Sequence, residues 1–167
     1  MVMNDLMKGS YVLIIDVSSP QTIRVGCLGA VFFPAGQYAY VGSAMRGLKS
    51  RLPHHFRTNK KPHWHIDYLL QKAKIDSVII AESLERIECN IAKALTNHYL
   101  CIGGFGSSDC KCEGHLFFLN NEIGIELEIS SILKSLGYLA EIINCTTLRN
   151  MRDLRMKFDN SSLKKVY

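Results

Sequence analysis

Apolar residues along the chain alternate between short runs typical of strands and stripes typical of helices. Residues 11–17 (YVLIIDV) form a nearly unbroken apolar run, which predicts a buried strand. In the run at residues 37–42, Tyr38 and Tyr40 would lie on one face of a second strand. Further strands are predicted at residues 23–33 (interrupted at Gly26 and Gly29), 77–81, 115–119 and 138–143. Helices are predicted at residues 48–56, 66–74, 84–100 and 125–136, with a basic helix or tail beyond them.

Strands interleaved with helices indicate an α/β or α+β domain. The 167 residues suit one domain of ordinary size, and a hydrophobic content of 47% is enough for a packed core. No apolar run reaches the ~18–20 residues of a membrane span, and the first residues lack the pattern of a secretion signal. We therefore expect a cytoplasmic protein without membrane contact, whose six cysteines are thiols or metal ligands rather than disulfides.

The net charge of +5 is concentrated in two segments of the chain. Residues 46–61 hold six Lys or Arg and no acid, and residues 149–167 hold six Lys or Arg against two Asp. Two such segments suit a polyanion such as nucleic acid, although a single charged run is more often a solvated face. The candidate nucleic-acid-binding residues are Arg46, Lys49, Arg57, Lys60, Lys61, His63 and His65.

Five elements in a fixed order resemble the motifs of the GIY-YIG endonuclease superfamily. Gly9-Ser10-Tyr11 begins the first strand, and Tyr40-Val41-Gly42 ends a later one. Arg51 and His55 follow on a predicted helix, and Glu88 lies on the long predicted helix. The first triplet is GSY rather than GIY, the second is YVG rather than YIG, and an asparagine that many members carry has no clear match.

Two longer blocks are similar to the stand-alone Uri-type branch of that superfamily. They are HWHIDYLL at residues 63–70 and GFGSSDCKCEGHL at residues 104–116, accompanied by the pair Glu88-Cys89. The resemblance covers about residues 9–119. It implies an α+β fold in which helices flank a small, mainly antiparallel central sheet. The nuclease domain would span residues 1–119, and residues 120–167 would form a helix-and-strand extension, partly packed on the domain, with a basic tail.

The resemblance also implies a metal-dependent endonuclease that hydrolyses phosphodiester bonds of DNA or RNA. Glu88 would ligate Mg²⁺ or Mn²⁺, and Arg51 would donate to phosphate oxygens. Tyr11 and Tyr40 would hydrogen-bond the attacking water. The family's proposed general base is a tyrosine, which requires a phenol pKa well below ~10, and Arg51 and a metal would shift the pKa in that direction. His55 lies one turn after Arg51 and is an alternative base with an ordinary pKa near ~6.5.

Two further groups of possible metal ligands leave other metal chemistry as an alternative. His63, His65 and Asp67 form H-x-H-x-D, which is a fragment of metallo-hydrolase motifs or else the start of a helix. A second possible site offers the ligand types of structural zinc or a redox-sensitive thiol pair, although its C-x-C spacing is unusual for zinc. This second set consists of Cys89, Cys110, Cys112 and His115.

Two functions compete with the nuclease interpretation. A non-catalytic nucleic-acid-binding module on the same fold would use the basic segments, and the unmatched asparagine is compatible with it. A zinc-dependent hydrolase would use the H-x-H-x-D residues together with the cysteines.

Asp109 and His115 are additional candidates for lining a site, because both lie in the second block.

Overall fold

The computed structural model describes residues 7–145, in which eight strands and four helices follow one another. The strands are β1 (Gly9–Val17), β2 (Gln21–Arg24), β3 (Ala30–Phe33), β4 (Gly36–Ala44), β5 (Lys74–Glu82), β6 (Leu100–Cys101), β7 (Leu116–Phe118) and β8 (Ala140–Asn144). The helices are α1 (Leu48–Phe56), α2 (His65–Leu70), α3 (Glu88–Thr96) and α4 (Ile125–Ser135). The predicted basic helix or tail, with the charged segment 149–167, lies outside the described residues.

Six of the strands form one antiparallel sheet in the order β6-β7-β4-β1-β5-β8. The strands β2 and β3 pair separately as a small ribbon. The predicted α+β fold with an antiparallel sheet and flanking helices is therefore confirmed. The predicted strand at 23–33 is divided at its glycines, because a 3₁₀ turn over Gly26–Leu28 separates β2 from β3.

The strand β1 lies in the middle of the sheet and is buried on both faces. Tyr11, Leu13 and Ile15 belong to one core, whereas Val12 and Ile14 belong to the other. Both faces are covered by helices, so the strand reads as a continuous apolar run rather than as an alternation. The first core includes Leu48 and Leu52 of α1 with Ile66 and Leu69 of α2. The second includes Ile91 and Leu95 of α3 with Ile129 and Leu133 of α4.

Two predicted helices are shorter in the structure. The helix predicted at 66–74 ends at Leu70, because Lys74 already begins β5 and pairs with Asp16 of β1. The helix predicted at 84–100 spans Glu88–Thr96, since residues 84–86 are exposed and Leu100 pairs with Phe118 in the sheet. At the C-terminal end of each helix, strand pairing therefore takes residues that the apolar pattern assigned to that helix.

Residues 120–145 complete the sheet and the second core. The strand β8 pairs with β5 at the sheet edge, and α4 packs against α3, β5 and β8. Residues 120–145 therefore pack on the preceding part of the chain through β8 and α4. Among these residues, no helix combines the length and the apolar character that a membrane crossing requires.

Candidate active site

Two tyrosines from neighbouring strands point to the same side of the sheet. Tyr11 of β1 is opposite Gly42 of β4, and Tyr40 of β4 is opposite Leu13 of β1, so the two phenols are diagonal neighbours. A Cβ at Gly42 would lie 2.4 Å from the Tyr11 hydroxyl oxygen. The glycine of the YVG triplet is therefore required because the phenol of Tyr11 lies directly over it.

The helix α1 brings Arg51 and His55 to these phenols. The hydroxyl of Tyr11 and Nε2 of His55 are hydrogen-bonded at 2.6 Å, and His55 is buried. The Arg51 guanidinium lies over the indole ring of Trp64, with its Cζ 4.0 Å from the ring centroid. This stacking holds the planar guanidinium in a defined orientation, which favours directional bonds to an anion.

Glu88 is the first residue of α3 and is 7% exposed. Its Oε1 accepts a hydrogen bond from Nε of Arg86 at 3.1 Å, whereas its Oε2 is buried without a hydrogen-bond partner. Arg86 also approaches Asp109, with 3.9 Å between Nη2 and Oδ2. A buried carboxylate oxygen without a partner is costly unless a ligand satisfies it.

Tyr11, Tyr40, Arg51 and Glu88 line one cavity of about 100 Å³, which we call the Glu88 cavity. His55 lies behind it and reaches it through Tyr11. Four of the five predicted catalytic residues thus share one cavity, and the fifth contacts one of them. The remaining wall consists of Val41, Gly42, Ser43, Trp64, Arg86, Gly106, Asp109 and His115.

Burial dominates the protonation of the tyrosines and of His55. It raises the pKa of both Tyr11 and Tyr40 well above the ordinary value, and the nearby Arg51 only partly offsets this effect. Burial also lowers the pKa of His55 to about 3. Arg51 therefore lowers the phenol pKa as expected, but burial outweighs it in the protein without the metal that the expectation also included. The phenols and the imidazole are all neutral at pH 7.

A second, basic cavity of about 280 Å³ adjoins the Glu88 cavity. Arg51 and Trp64 line both cavities and so form a shared wall. Of the predicted nucleic-acid-binding residues, Arg46 and Arg57 line this basic cavity. Lys61 and His63 are exposed on the loop before α2, and Lys49 is partly exposed on α1.

Three other predicted residues hold the structure together. The Asp67 carboxylate is fully buried and accepts hydrogen bonds from the backbone N–H groups of His63 and Trp64. It also forms an ion pair with Lys60, whose Nζ lies 2.9 Å from Oδ1. Burial by itself raises the pKa of Asp67, but these bonds outweigh it and hold the pKa at about 2. Lys60 is therefore turned inward, away from any phosphate. His65 accepts a hydrogen bond from the backbone N–H of Gly106 at its Nδ1.

Cys89, Cys110, Cys112 and His115 form a cluster whose ligand atoms all lie within 4.8 Å of one another. This cluster could hold a metal ion, as the sequence predicted for its second set. Within residues 7–145, it is the single group of three or more His, Cys, Asp or Glu at such distances. The Asp67 carboxylate is instead directed to Lys60 and His54, and Nδ1 of His65 to the backbone of Gly106.

Sequence reasoning missed two residues of the Glu88 cavity. Arg86 has no signal of its own, because it lies in an exposed, polar segment before α3. Trp64 lies at the start of α2, and its ring supports Arg51. The signal available for Trp64 was its position as the single tryptophan beside the basic segment 46–61.

Comparison with known families gives one match. Residues 10–138 match the family described as "Domain of unknown function DUF123", which is most of the chain, so the chain belongs to this family. The matched range includes the Glu88 cavity, the cysteine cluster and all of α4. No curated protein and no solved structure was found to match the chain.

Proposed function

We propose that this member of the DUF123 family is a metal-dependent endonuclease of the GIY-YIG type, which hydrolyses phosphodiester bonds of DNA or RNA. The observation that carries the proposal is the convergence of Tyr11, Tyr40, Arg51 and Glu88 on one cavity. These residues lie on four separate elements, β1, β4, α1 and α3, and the Glu88 Oε2 is buried without a hydrogen-bond partner.

A Mg²⁺ or Mn²⁺ ion fits this carboxylate. The unpartnered Oε2 is a hard oxygen donor, and Mg²⁺ is typically held by one or two carboxylates while it keeps several waters. Glu88 would be the protein ligand, and the bound ion would neutralise charge that develops on the phosphate. Arg51 would donate from its fork to phosphoryl oxygens, with its plane supported by Trp64.

Tyr11 and His55 supply a route for the proton of the attacking water. In the tautomer of neutral His55 that carries its proton on Nδ1, the phenol O–H would donate to Nε2. As the water oxygen bonds to phosphorus, its proton passes to the Tyr11 oxygen, and the original phenol proton passes to Nε2. The bond to the leaving oxygen would break with its electron pair, that oxygen would take a proton from solvent, and the His55 imidazolium would release its proton to solvent. The phenol would stay neutral, and the low pKa of His55 favours this release.

The basic cavity supports binding of a nucleic-acid backbone beside the reacting phosphate. Arg46 and Arg57 would contact flanking phosphates, while Arg51 reaches both cavities. Phosphate contacts of this kind provide affinity without reading the base sequence.

The proposal is tested by substituting the carboxylate that faces the cavity. Glu88→Gln should reduce metal-dependent nicking of plasmid, branched DNA or RNA by ~10²-fold or more, because a preorganised electrostatic group is lost. Glu85→Gln is the matched control, since Glu85 is exposed three residues earlier. Its rate should equal that of the wild type. Equal rates for the wild type and Glu88→Gln would show that the cleavage comes from a contaminant.

A second candidate is a non-catalytic nucleic-acid-binding module on the same fold. It is favoured by the neutral, buried state of Tyr11 and His55, which leaves the protein alone without a base whose pKa lies near 7. This alternative predicts binding that weakens steeply with salt, equal for the wild type and Glu88→Gln, and no cleavage with either metal.

A further inference from the structure

The dimensions of the cysteine cluster are close to those of a tetrahedral metal site. With the metal–ligand distances usual for zinc, a sulfur and a nitrogen ligand lie about 3.6 Å apart, and two sulfurs lie about 3.8 Å apart. Sγ of Cys110 and Nε2 of His115 are 3.5 Å apart, and all four ligand atoms lie within 4.8 Å of one another. These separations are within about 1 Å of the edges of a tetrahedral zinc site, so small movements of the side chains would complete it.

The donor types select the metal class. Three thiols and one imidazole form a Cys₃His set, which is soft and suits Zn²⁺ rather than Mg²⁺. Four protein ligands also close a tetrahedral ion, so no position remains open for water or substrate. Such a site stabilises structure and does not perform hydrolysis.

The His115 ring is already oriented for ligation. Its Nε2 faces Cys110, and the ring also hydrogen-bonds to the backbone of Val41, in β4. A ligating histidine commonly donates its other ring N–H to a carbonyl, and this bond fixes the ring orientation. The backbone of His115 is held as well, because its N–H donates to the Phe105 carbonyl at 2.7 Å.

The ligands are placed next to residues of the Glu88 cavity. Cys89 follows Glu88 in the chain, Cys110 follows Asp109, and His115 itself lines the cavity. The start of α3 and the loop at 102–115 are thus brought together at the cluster. An ion at this point would fix two carboxylates of the cavity wall relative to each other.

We propose that Cys89, Cys110, Cys112 and His115 bind one structural Zn²⁺ ion, which joins the start of α3 to the 102–115 loop and so holds Glu88 and Asp109 in position. The zinc site stands independently of the proposed nuclease activity. The part of this inference that concerns Glu88 rests on that activity.

The experiment measures zinc content and thermal stability of the full chain, purified under reducing conditions and dialysed against buffer without chelator. The wild type should retain one zinc per chain by mass spectrometry of metals. Cys112→Ser should lower zinc affinity by on the order of 10²-fold. Substitution of a residue that only supports a ligand can already cost this much, and this variant removes a ligand itself. It should also lower Tm. Cys112→His, which puts a nitrogen ligand in place of the lost sulfur, should recover much of the zinc content.

Cys101→Ser is the matched control. Cys101 is partly buried and close enough to Cys112 to affect its surroundings, yet its sulfur is not among the four ligand atoms. This variant should keep one zinc per chain. Substitution of Co²⁺ for zinc should give the absorption bands of tetrahedral thiolate cobalt in the wild type and in Cys101→Ser, and not in Cys112→Ser.

Three results would overturn the site. They are a wild type that takes up no zinc when zinc is supplied, a Tm unaffected by zinc, and a chain mass two hydrogens lower under non-reducing conditions, which indicates a disulfide instead. If zinc binds as proposed but the wild type cuts no nucleic acid, the metal site stands and the proposed function fails. If Cys112→Ser loses zinc and cuts at the wild-type rate, the positioning role of the ion is wrong.

Discussion

Tyr11 combines two properties that are normally separate in a protein. It belongs to the core with only 2% exposure, yet it lines the Glu88 cavity and bonds to His55. The glycine opposite it makes this possible, because Gly42 leaves room for the phenol. At the scale of single residues, the glycine therefore belongs to the site although it has no chemistry of its own.

We expect Gly42→Ala to displace the Tyr11 phenol. The added Cβ would lie 2.4 Å from the hydroxyl oxygen, so either the ring or the strand must move. Overpacking of this kind costs about 1–3 kcal/mol of unfolding free energy. Urea unfolding should show this loss, and cleavage should fall more than binding does. Gly103→Ala is the control, because nothing lies within 4 Å of its Cβ, and it should leave both properties unchanged.

At the scale of elements, the connection between α1 and α2 is organised around one buried carboxylate. Asp67 accepts hydrogen bonds from two backbone N–H groups at the start of α2 and pairs with Lys60 and with His54 of α1. The loop that carries Trp64 is thereby fixed against α1. The orientation of Arg51 depends on this, because its guanidinium stacks on Trp64.

Two adjacent lysines test this connection. Lys60→Met should destabilise the fold by on the order of 2–4 kcal/mol, because it removes one partner of a buried ion pair. Lys61→Met should change stability by less than about 0.5 kcal/mol, since Lys61 is exposed. Chemical denaturation of both variants provides the measurement. Equal stabilities would mean that Lys60 contributes no more than a surface charge.

At the scale of the whole molecule, the antiparallel sheet separates two cores, and the Glu88 cavity draws on both sides. Tyr11, Tyr40 and α1 belong to the first core, whereas α3, which begins with Glu88, packs in the second. The cavity therefore depends on the assembled fold rather than on one local motif. Because His55 is buried and neutral in this fold, the stability of the fold should depend on pH.

We expect the stability of the fold to decline as the pH falls below about 6.5. Burial lowers the pKa of His55 from 6.5 in the unfolded chain to about 3 in the fold. Between these values the unfolded state binds a proton that the folded state does not, so stability is full above pH 6.5 and falls by up to ~1.4 kcal/mol per pH unit below it. The charged groups around His55 that act on this equilibrium are Lys60, His54 and Arg51, which lower the pKa, and Asp67, which raises it.

Unfolding free energies measured from pH 7 to 4.5 check this slope. His55→Gln cannot titrate and should flatten the slope relative to the wild type. His98→Gln is the control, because His98 is exposed, and it should keep the wild-type slope. A wild-type slope that persists in His55→Gln would assign the pH dependence to other groups.

The sequence by itself predicted most of the strands and helices and most of the residues that meet at the Glu88 cavity. Unbroken apolar runs identified β1, and the helical stripe identified α1 from Leu48 to Phe56, because local pattern and burial agree there. Tyr11, Arg51, His55 and Glu88 were identified by the order of motifs. The ends of the helices were less predictable, since Lys74 and Leu100 pair with strand residues that are distant in the sequence.

Only the tertiary structure decided the protonation and the partners of these residues. Burial is a property of the packed molecule, and it raises the pKa of Tyr11 although the nearby Arg51 lowers it. The fold also turned Lys60 inward to Asp67 and gathered three cysteines and a histidine at metal-binding distance. Distances between residues remote in the chain and the exclusion of water arise only when the sheet and both helical layers pack together, so spacing along the chain could suggest these partners but not select them.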